Sequence, residues 1–191
     1  MEDPQYEILK HLLACENSHF SVFLDTIGMD GKTLVKNYMS ITPKNRNYGQ
    51  ITGVITLPVH NGQFGLLKIY RPPIREFSWE LPGGFVEPNE TPIESAKREL
   101  EEETGLICGT KDLIHLGDFD PSPGILAAKT CIYSAEKCKP APKIEKPEFG
   151  ISNFKWFDME EIEQFIEKGE LKDMSTVFAI LRRANRINKT L

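Results

Sequence analysis

The residues best suited to chemistry are the glutamates between positions 99 and 103, in the stretch SAKRELEEETG. On a helix that advances about 100° per residue, Glu102 and Glu103 fall within about 60° of Glu99, whereas Glu101 points elsewhere. Like charges this close repel one another. Three carboxylates on one side of a helix nevertheless supply the oxygen ligands that Mg²⁺ and Mn²⁺ prefer, with positions left open for phosphate oxygens. The alternative is a solvated acidic helix face.

The segment around these glutamates has the signals of a helix that packs on a sheet. Residues 91–94 (TPIE) form a capping box with proline at the first helical position. Gly105 can supply a left-handed stop. Ile93, Ala96 and Leu100 recur at three- and four-residue spacing and form an apolar stripe. The pattern predicts a short helix rigid enough to position ligands.

Strands and helices alternate along the rest of the chain. The apolar residues of PQYEILKHLLACE, residues 4–16, have helical spacing and predict a short N-terminal helix. Two strand pairs follow, joined by Asp-Gly at 30–31 and by Asn-Gly at 61–62. The other predicted elements are two strands and two helices, at residues 125–136, 151–157, 159–169 and 173–187. This order predicts a single mixed α/β domain.

Composition excludes several classes of protein. A chain of 191 residues that is 40% apolar can bury a real core. The net charge of −5 argues against a broad basic surface, so we expect no nucleic acid partner. No apolar run approaches the ~20 residues of a membrane span, and no membrane partner is expected. Because the four cysteines form no CxxC pair and no signal stretch follows the acidic start, we expect reduced thiols and a cytoplasmic protein.

The glutamates belong to a longer motif. Gly84 is followed after five residues by Glu90, and after seven more by RELEEETGL at residues 98–106. These are the elements of the Nudix box, and every fixed position is filled. The chain therefore resembles the Nudix hydrolases.

The resemblance extends beyond the box, over roughly residues 20–185. It is carried by YRPP at 70–73, ELPGG at 80–84, PSPG at 121–124 and GELKDMST near the end, which are similar to the ADP-ribose pyrophosphatase branch. It implies hydrolysis of the pyrophosphate bond in a nucleoside diphosphate linked to another group, above all ADP-ribose to AMP and ribose 5-phosphate. Other nucleotide-sugars, dinucleotides or modified nucleotides are alternative substrates. A non-catalytic sensing or interaction module is a further alternative, although such modules commonly lose box carboxylates.

The resemblance also implies roles for individual residues. In that family the first and last box glutamates of the helix, here Glu99 and Glu103, bind the Mg²⁺ or Mn²⁺ ions with the carbonyl before the box glycine, here Gly83. Glu102 is implied as a third ligand, reached directly or through water. The family usually has alanine where this chain has Gly83, a departure that keeps the carbonyl.

Other roles are implied around the metal ligands. Arg98 and Glu90 would hold the loop and orient the carboxylates. The general base often comes from a glutamate in the loop before the last strand, which here offers Glu145 and Glu148. Glu148 is the preferred candidate, and Glu102 is the alternative because a box glutamate does this work in some relatives.

The candidate substrate-binding residues are Arg71, Trp79 and Pro123. Arginine offers planar, bidentate donors for phosphate oxygens, with an ordinary ion pair as the alternative. Trp79 and the nearby Phe77 could stack on a base, with a place in the core as the alternative. Pro123 resembles a marker of the ADP-ribose enzymes and shapes a loop.

The expected fold is a Nudix-type α/β/α sandwich with a mixed sheet, plus an N-terminal β-hairpin extension. Residues 1–45 are interpreted as a helix and strand extension that dimerises, and residues 46–191 as the hydrolase domain. A compact catalytic core needs only about 130–150 residues, and an exposed hairpin edge invites pairing. A homodimer is therefore expected.

Overall fold

The computed structural model describes residues 3–45, 49–141 and 149–188. They divide into two compact units. The first contains the chain up to residue 52 together with residues 120–129, and the second contains the remainder. Residues 120–129 join the first unit through backbone pairing, since the Ile41 N–H donates to the Ile125 carbonyl at 2.7 Å and the Ala127 N–H to the Ile41 carbonyl at 2.8 Å.

The first unit contains a three-stranded antiparallel sheet in the order β1-β2-β3. Its strands are β1 (Glu7–Glu16), β2 (Phe20–Met29) and β3 (Lys32–Pro43). Asp30 and Gly31, between β2 and β3, have φ values of 51° and 70°. Positive φ at both central residues is the geometry that a tight hairpin requires and that Asp-Gly tolerates. The predicted hairpin is therefore confirmed.

The predicted N-terminal helix is wrong, because the segment from Glu7 to Glu16 is strand β1. Its pairing with β2 shifts register between Ile8 and Lys10 and again between Leu13 and Cys15. Each β-bulge adds a residue to the two-residue repeat of a strand. An apolar pattern interrupted in this way imitates helical spacing, and the partner strand that decides the matter lies further along the chain.

The second unit is built on one mixed sheet in the order β12-β5-β4-β10-β9, with β6 beside β5 and β7 beside β4. The β4–β10 pair is parallel and the other pairs are antiparallel. Its strands are β4 (Gly53–His60), β5 (Gln63–Arg71), β6 (Glu76–Glu80), β7 (Gly83–Phe85), β9 (Leu113–Phe119), β10 (Thr130–Glu136) and β12 (Ile151–Phe157). A small separate pair joins β8 (Leu106–Ile107) to β11 (Lys139–Pro140). The Asn-Gly turn at residues 61–62, with φ values of 50° and 80°, joins β4 to β5 as predicted.

Helices cover both faces of this sheet. They are α1 (Pro92–Thr104), α2 (Met159–Glu167) and α3 (Met174–Asn188). The Thr56 hydroxyl of β4 donates to the Ala96 carbonyl of α1 at 3.4 Å. The next residue, Leu57, is fully buried in a cluster with Ile162 of α2 and Ile180 of α3. Because neighbouring strand residues point to opposite faces, α1 lies on one side and the other two helices lie on the other. The expected α/β/α sandwich is confirmed. In the described ranges no helix is long and apolar enough to cross a bilayer.

Helix α1 begins and ends where the sequence predicts. The Thr91 N–H donates to the Glu94 carboxylate at 2.8 Å, as a capping box requires. Gly105 has φ 67°, and its N–H donates to the Glu101 carbonyl at 2.9 Å. Ala96 and Leu100 are fully buried. The apolar stripe therefore fixes the helix on the sheet, and the glycine stops it one residue after the acidic cluster.

We expect Gly105→Ala to lower the free energy of unfolding by about 1 kcal/mol, because a side chain in the left-handed region crowds its own carbonyl. Urea denaturation followed by circular dichroism measures this. Gly124→Ala is the matched control, since its φ lies outside that region and a Cβ there meets nothing within 4 Å. Equal unfolding midpoints for the two variants would contradict the capping role.

Candidate active site

The carboxylate side chains of helix α1 differ in how deeply they are buried. Glu99 is only 8% exposed, although an ionisable side chain is seldom buried without partners. Glu103 lies one turn further along the same face, and the side chain of Glu102 is 48% exposed. The predicted face therefore runs from a buried carboxylate to one in contact with solvent.

Arg98 connects this face to the loop that precedes the helix. Its Nη1 donates to Glu99 at 2.8 Å and to Glu102 at 3.1 Å. Its Nε donates to Glu90 at 3.0 Å, and its Nη2 donates to the Phe85 carbonyl at 3.2 Å. The pKa of Arg98 is raised from its ordinary value, chiefly by the hydrogen bond to Glu90. A permanently charged guanidinium thus screens the repulsion within the acidic cluster.

Glu90 serves this arrangement as a structural anion. It accepts from the Ser95 hydroxyl at 2.5 Å as well as from Arg98. The hydrogen bond from Arg98 is the main cause that holds the pKa of Glu90 below its usual value, and Ser95 adds to it. Glu90 is therefore ionised over the neutral range and anchors the arginine.

Strand β7 closes the site from the side of the sheet. The Gly83 N–H donates to the Glu103 carboxylate at 2.7 Å, which brings these two predicted metal ligands together. A Cβ on Gly84 would lie 2.7 Å from the carboxyl carbon of Glu99 and would overlap its oxygens. A side chain at position 84 would therefore displace the Glu99 carboxylate from its place against β7.

The departure from the usual alanine at Gly83 also has a physical basis. A Cβ there would lie 2.9 Å from the Ile55 Cα and would overlap the Val54 carbonyl oxygen. Gly83 pairs with Ile55 across the β4–β7 ladder, so little room exists for the methyl group. Glycine at position 83 therefore fits the close spacing between β4 and β7.

Arg71 ends β5 and lies in an ion pair. Its Nε and Nη2 donate to the Glu80 carboxylate at 3.0 and 2.6 Å. The pKa of Arg71 is raised mainly by this hydrogen bonding, with smaller contributions from the charges of Glu103 and Asp173. The charge of Glu103 is thus one of those that favour the protonated guanidinium.

The two aromatic candidates on β6 have different surroundings. The Trp79 ring packs edge-on against Phe157, with centroids 4.9 Å apart, at the margin of the core. Phe77 is 52% exposed, and the Lys68 ammonium lies 5.8 Å from its ring centroid. Stacking by Trp79 on a base stays a prediction, and Phe77 is the more exposed of the two rings.

Pro123 lies in the first unit, on the wall of a cavity of about 680 Å³. The same cavity holds Asp25, which is 3% exposed and lies 2.5 Å from the His11 ring nitrogen Nδ1. The Ser40 hydroxyl donates to the other oxygen of Asp25 at 2.8 Å, and the His11 ring stacks on Phe23. Sequence reasoning missed this polar cluster, although a lone carboxylate inside the apolar strand FSVFLDTIGM was a signal.

The candidate general bases in the loop before β12 are not placed. Glu145 and Glu148 lie outside the described residues, so both assignments stay predictions. Glu102 is the general-base candidate that lies within the described part of the site.

Comparison with known proteins agrees with this geometry. A family model described as NUDIX domain matches residues 50–177. The chain is 34% identical over 105 residues to an ADP-sugar pyrophosphatase of Mus musculus, covering 50% of this chain and 48% of that protein. It is 31% identical over 120 residues to an ADP-ribose pyrophosphatase of Bacillus subtilis (strain 168), covering 62% and 64% respectively. These alignments thus span from about half to under two thirds of the relatives.

A solved structure described as an ADP compounds hydrolase has the same fold. It matches with a TM-score of 0.80 and 17% sequence identity, and the match covers 100% of this chain and 98% of that one. Identity this low supports the architecture alone. The family model, by contrast, matches the segment that contains the complete box and the α1–β7 contact. This chain belongs to the Nudix family.

Proposed function

We propose that this protein hydrolyses the pyrophosphate bond of a nucleoside diphosphate linked to a second group, with ADP-ribose as its preferred substrate and AMP and ribose 5-phosphate as products. The observation that carries the proposal is the carboxylate face of α1, held against β7 by Arg98 and the two glycines. The name of the Bacillus subtilis relative supports the choice of ADP-ribose, and that of the Mus musculus relative supports the wider class of ADP-sugars.

The α1 face suits a divalent cation of the Mg²⁺ or Mn²⁺ type. The ligands assigned to this face are all oxygens, from Glu99, Glu102, Glu103 and the Gly83 carbonyl, and hard cations prefer oxygen. When bound, such a cation neutralises the diphosphate and lowers the pKa of the attacking water. The carboxylates accept the cation without rearranging the backbone, because α1 is already fixed on the sheet.

The chain's own groups divide the remaining work. Arg98 orients Glu99 and Glu102, so neither carboxylate has to be ordered when substrate arrives. Glu102 is exposed to solvent and held at one oxygen, which suits it to accept a proton from water. Glu148, which the resemblance favours, is the preferred candidate for this proton transfer, and Glu102 is the alternative.

Arg71 is the proposed phosphate contact. Its guanidinium is half exposed, and Glu80 already orients it. An incoming diphosphate offers oxygens of the same geometry as a carboxylate and competes for the same donors. Phe77 and Trp79 on the adjacent strand are the proposed neighbours of the base, and Pro123 shapes the loop assigned to substrate binding.

A homodimer formed through the first unit completes the proposal. Its sheet exposes large apolar side chains on β1 and β3 and just before β1, namely Tyr6, Ile8, Leu9, Leu12, Leu13, Leu34, Val35, Tyr38 and Met39. Exposed apolar side chains in this number favour an interaction site. A second copy of the chain is the partner that a two-fold axis supplies.

A reducing cytoplasmic setting is part of the same proposal. All four cysteines are free thiols, and three of them are partly or fully buried. Burial raises the pKa of Cys108 and of Cys138, which keeps these thiols protonated and unreactive.

We expect turnover to require a divalent cation and to fall at least ~10²-fold in Glu99→Gln or Glu103→Gln, because a lost ligand removes electrostatic stabilisation of the developing charge. Steady-state kcat at saturating Mg²⁺ measures this, with circular dichroism to verify folding. Glu101→Gln is the control, since Glu101 is exposed on the same helix and outside the cluster. Folded Glu99 and Glu103 variants that turn over like the control would remove these residues from the metal site.

We expect ADP-ribose to give the highest kcat/KM in a panel of nucleotide-sugars, dinucleotides and modified nucleotides, with AMP and ribose 5-phosphate as products by chromatography. The ratio kcat/KM measures discrimination between substrates. If another nucleotide exceeds ADP-ribose by more than about tenfold, the substrate is misassigned while the hydrolase stands. If no member of the panel is hydrolysed, the non-catalytic alternative is favoured.

We expect light scattering at micromolar concentration to give twice the 21.7 kDa of one chain. Leu13→Asp should yield the monomer, because a charge cannot be buried unpaired in an apolar interface. Ile166→Asp is a matched control on α2, since the two side chains are 48% and 43% exposed. A wild-type mass near one chain would reject the dimer.

A further inference from the structure

Three potential metal ligands of different chemistry converge on β9 and β10, away from the carboxylates contributed by α1. A ring nitrogen of His115, a carboxylate oxygen of Asp118 and the sulfur of Cys131 all lie within 4.8 Å of one another. His115 Nε2 and Asp118 Oδ1 are 2.9 Å apart. We propose that these three side chains bind Zn²⁺, at a site separate from that of the hydrolytic metal.

A β-bulge brings the three side chains to one face. Asp118 lies opposite Cys131, and His115 lies opposite Tyr133, so three steps along β9 match two steps along β10. In a regular strand, residues three apart point to opposite faces. The extra residue reverses that alternation and directs His115 and Asp118 to the same side.

The burial of the neighbouring residues confirms this reversal. Leu116 and Phe119, also three apart on β9, both contact the hydrophobic cluster beneath α2 and α3. Ile132 of β10 belongs to the same cluster, so its neighbour Cys131 points to the opposite face. His115 and Asp118 of β9 and Cys131 of β10 therefore share the sheet face opposite the hydrophobic cluster.

Helix α3 holds the bulge in place. Arg182 donates from Nε and Nη2 to the Leu116 carbonyl at 2.9 and 2.7 Å, and Arg186 donates to the His115 carbonyl at 2.6 Å. Gly117 has φ 133°, and a Cβ there would overlap the Arg182 guanidinium. An irregular backbone fixed by two arginines and a required glycine is a feature that positions side chains.

The donor set selects a zinc-class ion. Thiolate and imidazole are ligands of Zn²⁺, whereas Mg²⁺ takes oxygen and is served by the α1 face. A thiolate and a carboxylate with a neutral imidazole also balance a double positive charge. Cys131 is 3% exposed, so its sulfur faces the inside of the cluster and not solvent.

The site is open on one side. The side chains of His115 and Asp118 are 52% and 41% exposed, so an ion can enter from solvent. Three protein ligands leave a fourth tetrahedral position for water or an external ligand. The two proposed sites would thus prefer different ions. The oxygen ligands of α1 would bind hard cations, and the β9–β10 site would bind zinc.

Cobalt is the probe that tests the site, because Co²⁺ substitutes for Zn²⁺ and a Co²⁺–thiolate bond absorbs in the near ultraviolet. The wild-type protein is titrated with Co²⁺ in excess Mg²⁺, which occupies the α1 carboxylates. We expect a sulfur charge-transfer band that saturates at one equivalent and disappears when Zn²⁺ is added. Absence of the band would overturn the proposal without bearing on the hydrolase.

Variants assign the ligands. His115→Ala and Asp118→Asn alter exposed side chains, and each should weaken Co²⁺ binding at least about tenfold, the lower end of what disturbed metal sites lose. Cys131→Ser should abolish the band, whereas Cys108→Ser, a buried cysteine outside the cluster, should retain it. A band that survives in Cys131→Ser, or unchanged affinity in both surface variants, would refute the site.

Discussion

Repulsion among the carboxylates of one short helix is the constraint on which the site depends. Glu99, Glu102 and Glu103 crowd a single face, and their charges cannot disperse because the helix is fixed at both ends. Arg98 meets this repulsion from within the helix itself, with hydrogen bonds of 2.8 and 3.1 Å to two of them. Glu90 anchors the arginine in turn. The charged side chains of the acidic face therefore form one hydrogen-bonded network and do not act as independent charges.

Close contact between α1 and β7 is the second condition. Two successive glycines allow the strand to approach the carboxylate of Glu99 on one side and the backbone of β4 on the other. A side chain at position 83 would meet the backbone of β4, and one at position 84 would meet the Glu99 carboxylate. Backbone spacing and electrostatics therefore depend on the same residues.

The features that the sequence predicted correctly are determined by residues close together in the chain. Capping residues, a stop glycine and a three-residue apolar stripe determine the thirteen-residue helix α1, and two Gly-containing turns determine two hairpins. Prediction failed where a distant partner decides the outcome. Strand β1 looks helical until β2 pairs with it, and β9 was not predicted because its bulge breaks the alternation that identifies a strand. The polar cluster around Asp25 was missed for the same reason, since its members come from three different strands.

Under the proposed function, in which Arg71 contacts phosphate, the ion pair between Arg71 and Glu80 makes substrate binding an exchange of one anion for another. The guanidinium already holds a planar anion at 2.6 Å, so a diphosphate displaces one partner instead of filling an empty position. The net binding free energy at Arg71 would then be the difference between two similar contacts, and most of the attraction would cancel. Monoanions gain little from such an exchange, whereas a group with higher charge density gains more. A competitor built into the chain thereby discriminates among anions before any chemistry begins.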